Sequence, residues 1–569
     1  MRILFCIGCL FISLNSFAWS WPWPGKGGSG GGDSGNGDSP IPGSAQDPSA
    51  VNAQWRITRT TWTDQDEQNF GQFLVQLGAA VEKQTCWKVD TCLNSPANMY
   101  FGSDPSGFRY VADCADLPYF LRGYFAWKNG LPFSIEAGVR AKDDSPDVRY
   151  SKEGNYVTGR FDILSSRNKY PNASNTLAVV TDDAWSASYR MIGLEDGNLF
   201  TDFYPAELSR RGIHLGTVIY DPNGHVTIIY KITDDGRIYY IDSHPDNTLT
   251  SGMYTPKFER SRPGQGAGFK NFRPLSLVGA RQDSSGAYYG GHIVGAKNAQ
   301  LPGFSIEQYY GNNPDPGGDW TKGKFVLNGQ ELNYYDYVRF KMSSGDLRID
   351  PIRDMQQLTA DICTSLRDRV VAVDQARVSG VQNKTHPDRL PANIFGSDGE
   401  WENFATPSRD ARLKVSFMDL LDQAKQNMGR YRAHDPSIVY NGGNLGRDLL
   451  NTYNQVASGC QFAYTNSAGA SVPLNLEVAR QRLFGLSFDP YHCVELRWGA
   501  STPAELASCP VDQNKSDWYS HERWLRYQWE RTYDAKMDYS LDELDGPKPG
   551  AGIAAPPDVD IVKYLNSVQ

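Results

Sequence analysis

The segment VADCADLPYFLRGYFAWKNGLPF, residues 111–133, places one cysteine, Cys114, at the head of an apolar helical pattern. A thiol attacks as the thiolate, and with an ordinary pKa of about 8.5 it is mostly neutral at pH 7. A helix N-terminus and a neighbouring imidazole both favour ionisation. Leu117, Phe120, Leu121, Tyr124 and Phe125 form a broad apolar face. Pro118 falls in the first turn, where its missing N–H costs little. The spacing predicts a helix that starts at or near Cys114.

The partner imidazole must come from elsewhere in the chain. Of the eight histidines, His225 stands out, because it opens HVTIIYKI directly after the turn DPNG. A second strand, IYYIDSHPD, follows the turn TDDG. In an antiparallel hairpin with a two- or four-residue loop, odd positions oppose even ones. His225 then shares a sheet face with Asp242 and His244. A three-residue loop or a bulge would reverse that parity. Asp242 is the expected partner behind the imidazole, and His244 is the alternative third member.

The cysteine count bears on the same question. Nine are present, and Cys6 and Cys9 fall in the N-terminal leader. Of the rest, Cys86 and Cys92 sit close together, Cys493 and Cys509 bracket one short segment, and Cys363 and Cys460 lie in two predicted helices of one region. Pairing in an oxidising compartment as 86–92, 493–509 and 363–460 leaves Cys114 as the unpaired thiol.

These residues need a scaffold. The leader, residues 1–18, has Arg2, an apolar run from Ile3 to Leu14 and small residues before Ala18, the pattern of a secretory signal peptide. Residues 19–50 are rich in Gly, Ser and Pro and read as a disordered linker. Their GGSGG matches a serine-hydrolase pattern but has neither the strand nor the helix it needs. From 51 to 345 helical and strand patterns mix: Thr63 and Asp66 form a capping pair before a helix, and strand signals dominate from about 213. From 350 to 540 the pattern is helical, with Met355, Leu358, Ile362, Leu366 and Val373 on one stripe. Another stripe runs from Leu413 through Phe417 and Leu420 to Met428. Residues 541–569 read as a loose Pro/Gly-rich tail. The expected class is α+β, followed by a mostly α-helical domain. The net charge of −9 argues against nucleic acid as a partner. Beyond the leader no run approaches the roughly 18 apolar residues of a membrane helix.

A Cys at a helix start, a His at a strand start and an Asp at the end of the next strand resemble the papain-like cysteine hydrolase superfamily. DCADLPYFLRGYFAWKNGLPF and HVTIIYKITDDGRIYYIDSHP are similar to the Cys helix and the His and Asp strands of its transglutaminase-like branch. LGTVIYDPNGHVTIIY is similar to the His segment of NlpC/P60 peptidases, in which His244 would be the third residue. The resemblance covers two short segments. It implies a papain-like helix and antiparallel sheet. It also implies an exported thiol hydrolase, an amidase or peptidase, or an acyl transferase. The substrate would be a peptide, a protein or peptidoglycan, met in the periplasm or outside the cell. Cys114 would attack, His225 would move the proton, Asp242 would hold the imidazole, and amides at the helix start would cradle the oxyanion. Asp113 and Asp116 flank the thiol, and their side chains are expected to turn toward the helix N-terminal amides.

No Walker loop, H-E-x-x-H or paired CxxC is present, so no cofactor and no metal are expected. Lys270 and Arg273 follow the strands and read as solvated charges on a connection or, less simply, as a clamp for a substrate carboxylate. The alternative to an enzyme is a non-catalytic, secreted or cell-envelope binding protein on the same scaffold.

Overall fold

The computed structural model describes residues 51–569 except 165–169, 195–198, 245–246, 346, 393, 395–398, 511, 531–536 and 546–552. The expected leader and linker, with GGSGG, lie outside the described residues.

Up to about residue 345 the chain mixes helices with antiparallel strands. Its centre is a six-stranded sheet. The strands are β1 (Phe203–Pro205), β2 (Val218–Asp221), β3 (His225–Ile232), β4 (Ile238–Ser243), β5 (Leu249–Met253) and β6 (Gly268–Phe272), in the order β1-β6-β2-β3-β4-β5. Alternation along these strands makes two apolar faces. Val218, Tyr220, Val226 and Ile228 join a core with Phe73 of α1 (Asp64–Glu82) and Phe125 of α2 (Asp116–Asn129). Ile219, Ile229, Tyr240 and Phe269 face the other way and pack with Tyr337 and Met342 of α3 (Tyr334–Met342). Thr63 and Asp66 close a capping box at the start of α1, as their spacing predicts.

The β3–β4 hairpin reaches the expected register by an unexpected route. Ile232 faces Ile238, so residues 233–237 form a loop of odd length, which sets even against even. A bulge at Tyr230 reverses the parity, and beyond it Ile229 faces Tyr240 and Ile228 faces Ile241. The bulged Tyr230 ring lies on Gly78 of α1, where a Cβ would overlap it. That close approach is why α1 carries glycine there.

The following region is helical, built on α4 (Pro351–Val378), α5 (Pro407–Arg432) and α6 (Leu445–Gly459). Asp350 caps α4 and Pro351 occupies its first position. The predicted stripes meet here: Ile362, Leu366, Phe417, Leu420 and Leu449 share one core. The Cys363–Cys460 disulfide ties α4 to the end of α6. Two features depart from the sequence pattern. A hairpin of β7 (Gln461–Thr465) and β8 (Ser471–Asn475) interrupts the helices. After α7 (Gln513–His521), the end of the tail is not loose. Its helix α8 (Ile561–Ser567) buries Ile561 and Leu565 in the same core as α5 and α6. The Pro- and Gly-rich composition just before it hides so short a helix.

The two regions are joined by charge pairs, two of them buried and that of Arg430 half-buried. Lys257 meets Asp361 at 2.7 Å, Arg237 meets Asp354, and Arg430 meets Asp336 at 3.0 Å. Met253 of β5 is part of the helical core. Among the described residues no helix is long and apolar enough to cross a membrane.

Candidate active site

Cys114 lies in the turn that enters α2, one residue before its N-cap Ala115. Asp113 builds that turn: its Oδ1 accepts the N–H groups of Ala115 (2.8 Å) and Asp116 (3.0 Å). The Asp113 N–H donates in turn to Asp116 Oδ2 at 3.2 Å. The expected orientation toward helix amides is met, although Asp113 thereby occupies two of the donors expected for an oxyanion. Three more bonds fix the segment. Ser243 donates its hydroxyl to the Ala112 carbonyl at 2.6 Å, and the Ala112 N–H donates to Asn247 Oδ1 at 2.8 Å. Tyr189 donates to the Ala115 carbonyl at 2.6 Å.

The six other described cysteines pair as 86–92, 363–460 and 493–509, and Cys114 is free and partly exposed. Its Sγ lies 3.8 Å from the Gly224 carbonyl, and the Val226 N–H donates to the sulfur. The thiol therefore touches the backbone on either side of His225. Gly224 takes φ +87° to close the DPNG turn, with its N–H on the Asp221 carbonyl.

His225 is buried, with Nε2 2.6 Å from Asp242 Oδ2. Asp242 Oδ1 accepts the Thr250 hydroxyl. Asp242 thus stands behind the imidazole, and Nδ1 is the ring nitrogen left to exchange a proton. His244 lies beside the pair and makes no hydrogen bond to His225. Its ring stacks 6.2 Å from that of His225, its Nε2 meets Thr250 Oγ1 at 3.2 Å, and its Nδ1 faces Arg409 at 3.3 Å. No hydrogen bond joins the thiol to the imidazole. Alternation turns His225 to the face of Thr227 and Ile229, whereas Cys114 meets the backbone edge of β3 beyond its last pair with β4, Ile228–Ile241.

Electrostatics keep both groups neutral at rest. Burial pushes the Cys114 thiol well above its ordinary range, and Asp113, Asp116 and Asp242 add to this. Turning toward the amides therefore does not remove the influence of the flanking carboxylates. Burial and the Arg412 cation hold His225 below its usual value, against the pull of Asp242. Burial alone would raise Asp242, but the bonds and charge of His225, with help from His244 and Thr250, bring it below the usual carboxylate range.

A cleft of about 680 Å³ opens between β5, the Cys86–Cys92 loop and α4. Trp87, Tyr239, His244, Thr250, Asp368 and Arg409 are among its walls; Cys114 and His225 are not. The cleft therefore reaches the Asp242 side of the pair through Thr250 and His244. Asp368, pushed up to about 7 by burial and then by Asp242 and Asp361, titrates in the neutral range. Thr250, Asp368, Arg409 and Arg412 were not found from sequence. They lie off the apolar stripes or on another strand, and only folding brings them to β4. Lys270 and Arg273 are neither a clamp nor solvated. Both are buried and donate to backbone carbonyls, Lys270 to Met191 at 2.5 Å and Arg273 to Ala296 and Gly193 at 2.9 Å each.

In comparison with known proteins, the chain matches no protein-family model, no curated protein and no solved structure.

Proposed function

We propose that the chain is an exported, papain-like cysteine hydrolase that cleaves amide bonds of a peptide, protein or peptidoglycan substrate. The observation that carries this reading is the 2.6 Å His225–Asp242 pair between β3 and β4, where the first residues of β3 touch the one free thiol among the described residues. Cys114 attacks the carbonyl carbon as His225 Nδ1 takes the thiol proton. The tetrahedral intermediate collapses when the imidazolium returns that proton to the leaving amine. Water then attacks the thioester with His225 again as base, releasing the acid and the thiol. Because Asp113 engages the amides of Ala115 and Asp116, the Cys114 N–H is the oxyanion donor nearest the reacting carbon. A neutral thiol apart from a neutral imidazole means that proton transfer accompanies attack, after a rotation of His225 or a shift of the Cys114 turn. Three disulfides fit an oxidising, periplasmic or extracellular location.

The test is hydrolysis of a panel of cross-linked muropeptides and peptide amides by wild-type protein and Cys114→Ala. Wild-type turnover that the variant loses supports the reading, and turnover that it keeps excludes the thiol. A second reading, a binding protein, is favoured by a cleft that His244 and Arg409 line and the thiol does not. In that case ligand affinity is unchanged in Cys114→Ala and falls in Arg409→Ala.

A further inference from the structure

The helical region holds a second polar cluster, far from any use the thiol chemistry could make of it. His386 follows α4, Asp489 and His492 lie in the turn FDPYHC, and Glu522 caps the end of α7. All four are at most 1% exposed. His386 Nε2 is 2.8 Å from Asp489 Oδ2, and His492 Nε2 is 3.5 Å from the same oxygen. His386, Asp489 and Glu522 each offer a ligand atom within 4.8 Å of the other two.

The hydrogen bonds around the cluster leave lone pairs pointing inward. His386 Nδ1 is occupied by the Pro387 carbonyl at 2.6 Å, an acceptor, so Nδ1 carries the proton. Nε2 faces Asp489 Oδ2 at 2.8 Å, a contact that needs a proton or a cation between the two atoms. His492 Nδ1 is held by Ser487 Oγ at 2.6 Å, and its Nε2 has no hydrogen-bond partner. Neither oxygen of Glu522 has one. The neighbouring cations do not supply the missing bonds. Arg526 donates to the Tyr519 carbonyl, and Arg497 donates to the Phe404 carbonyl and the Thr406 hydroxyl. A buried carboxyl with two orphaned oxygens beside a second carboxylate is costly unless a proton or a metal ion lies between them.

We propose that His386, Asp489 and Glu522 hold a divalent transition-metal ion, with zinc as the ion that best suits an imidazole and two carboxylates, and that His492 stands beside them against Asp489. Zinc bonds of about 2.0–2.1 Å in a tetrahedron place neighbouring ligand atoms about 3.3 Å apart, within the 4.8 Å that bounds these three. His386 anchors its Nδ1 on the Pro387 carbonyl and offers Nε2, the arrangement that fixes a ligating imidazole. Trp518 stacks on His386 at 4.2 Å and holds the ring in place. Cys493, next to His492, is in a disulfide and offers no thiolate. Its ligands are at most 1% exposed, so the site is structural, and it would tie three distant segments of the helical region together. No short spacing motif marks it, because its ligands come from segments far apart in the chain.

The experiment measures metal by mass spectrometry in full-length protein purified without chelator from zinc-supplemented culture. About one zinc per chain is expected, with the loss of most of it in Glu522→Gln and in His386→Asn and its retention in Cys114→Ala. Where the ligand variants do not fold, wild-type protein loaded with cobalt(II) should show visible bands of nitrogen and oxygen ligation that free cobalt lacks. Wild-type protein from zinc-depleted culture should also melt at a lower temperature than zinc-loaded protein. Wild-type protein with less than about 0.1 ion per chain, and no cobalt spectrum, would overturn the proposal. So would metal that is lost in Cys114→Ala and kept in Glu522→Gln.

Discussion

Two imidazole–carboxylate pairs of similar length sit in the two regions of the molecule: His225 with Asp242 at 2.6 Å and His386 with Asp489 at 2.8 Å. The first stands at the start of a strand, beside a partly exposed thiol and behind the wall of a cleft. The second is sealed beneath Trp518 and adjoins Ser487, whose Oγ is 2.6 Å from His492 Nδ1. On paper, hydroxyl, imidazole and carboxylate make that second cluster look more like a finished triad than the first. Yet Ser487, His492 and Asp489 are fully buried, and no acyl group can reach the hydroxyl. The pair geometry alone does not identify a catalytic site. Access, a nucleophile at the surface and the charge of the surroundings do.

The comparison can be broken most directly at the thiol. Cys114→Ala should abolish labelling by iodoacetamide, read by intact mass, with a melting temperature close to wild type, whereas Ser487→Ala should leave labelling and hydrolysis unchanged. Loss of hydrolysis in Ser487→Ala would move the active site to the helical region. Next in size, His225→Ala should slow hydrolysis by about 10²–10⁴-fold, the usual worth of a general base, and Asp242→Asn should slow it less. Equal rates in His225→Ala and wild type would remove the imidazole from the mechanism.

The disulfides sharpen the contrast in stability. Cys363–Cys460 closes a separation of 97 residues and Cys86–Cys92 one of 6. Chain entropy predicts a loss of about 5 kcal/mol when Cys363 and Cys460 become serine, and about 2 kcal/mol for the short bridge. Urea unfolding that ranks them the other way would show that the helical region does not depend on its tie.

Asp368 links the two regions and has a pH signature. Its carboxyl is raised to about 7 in the folded protein, above the unfolded value near 3.9. Its contribution is therefore fully present below about pH 4 and is lost as pH rises through 7. Asp368→Asn, which mimics the neutral acid, should gain melting temperature relative to wild type at pH 8, less at pH 5 and not at pH 3. The smallest effect expected is that of Arg412→Gln. Removing this cation should let His225 protonate more readily and move the acid limb of the hydrolysis profile to higher pH. An unmoved limb would show that the helical region does not tune the imidazole.

Much of this molecule could be read before it was folded. The stripe from Leu117 to Phe125 set α2 and put Cys114 ahead of its first turn, because local periodicity and an early proline need no tertiary partner. Odd parity, the close spacing of 86–92 and 493–509, and the shared helical region of Cys363 and Cys460 pointed to all three bridges. The face shared by His225 and Asp242 was anticipated too, but by an argument that left out both the odd loop and the bulge, two errors of parity that cancel. What sequence could not supply was everything set by packing between distant segments: the bulge over Gly78, the arginines of α5 beside the imidazoles, the buried positions of Lys270 and Arg273, and the docking of α8. Periodicity reports which side of an element is buried and not what buries it. The offset of Cys114 from the imidazole, and the gathering of His386, Asp489, His492 and Glu522 into one sealed cluster, were decided by tertiary structure alone. Only the close packing of separate chain segments can place groups so far apart in sequence within a few ångströms of one another and remove the water between them.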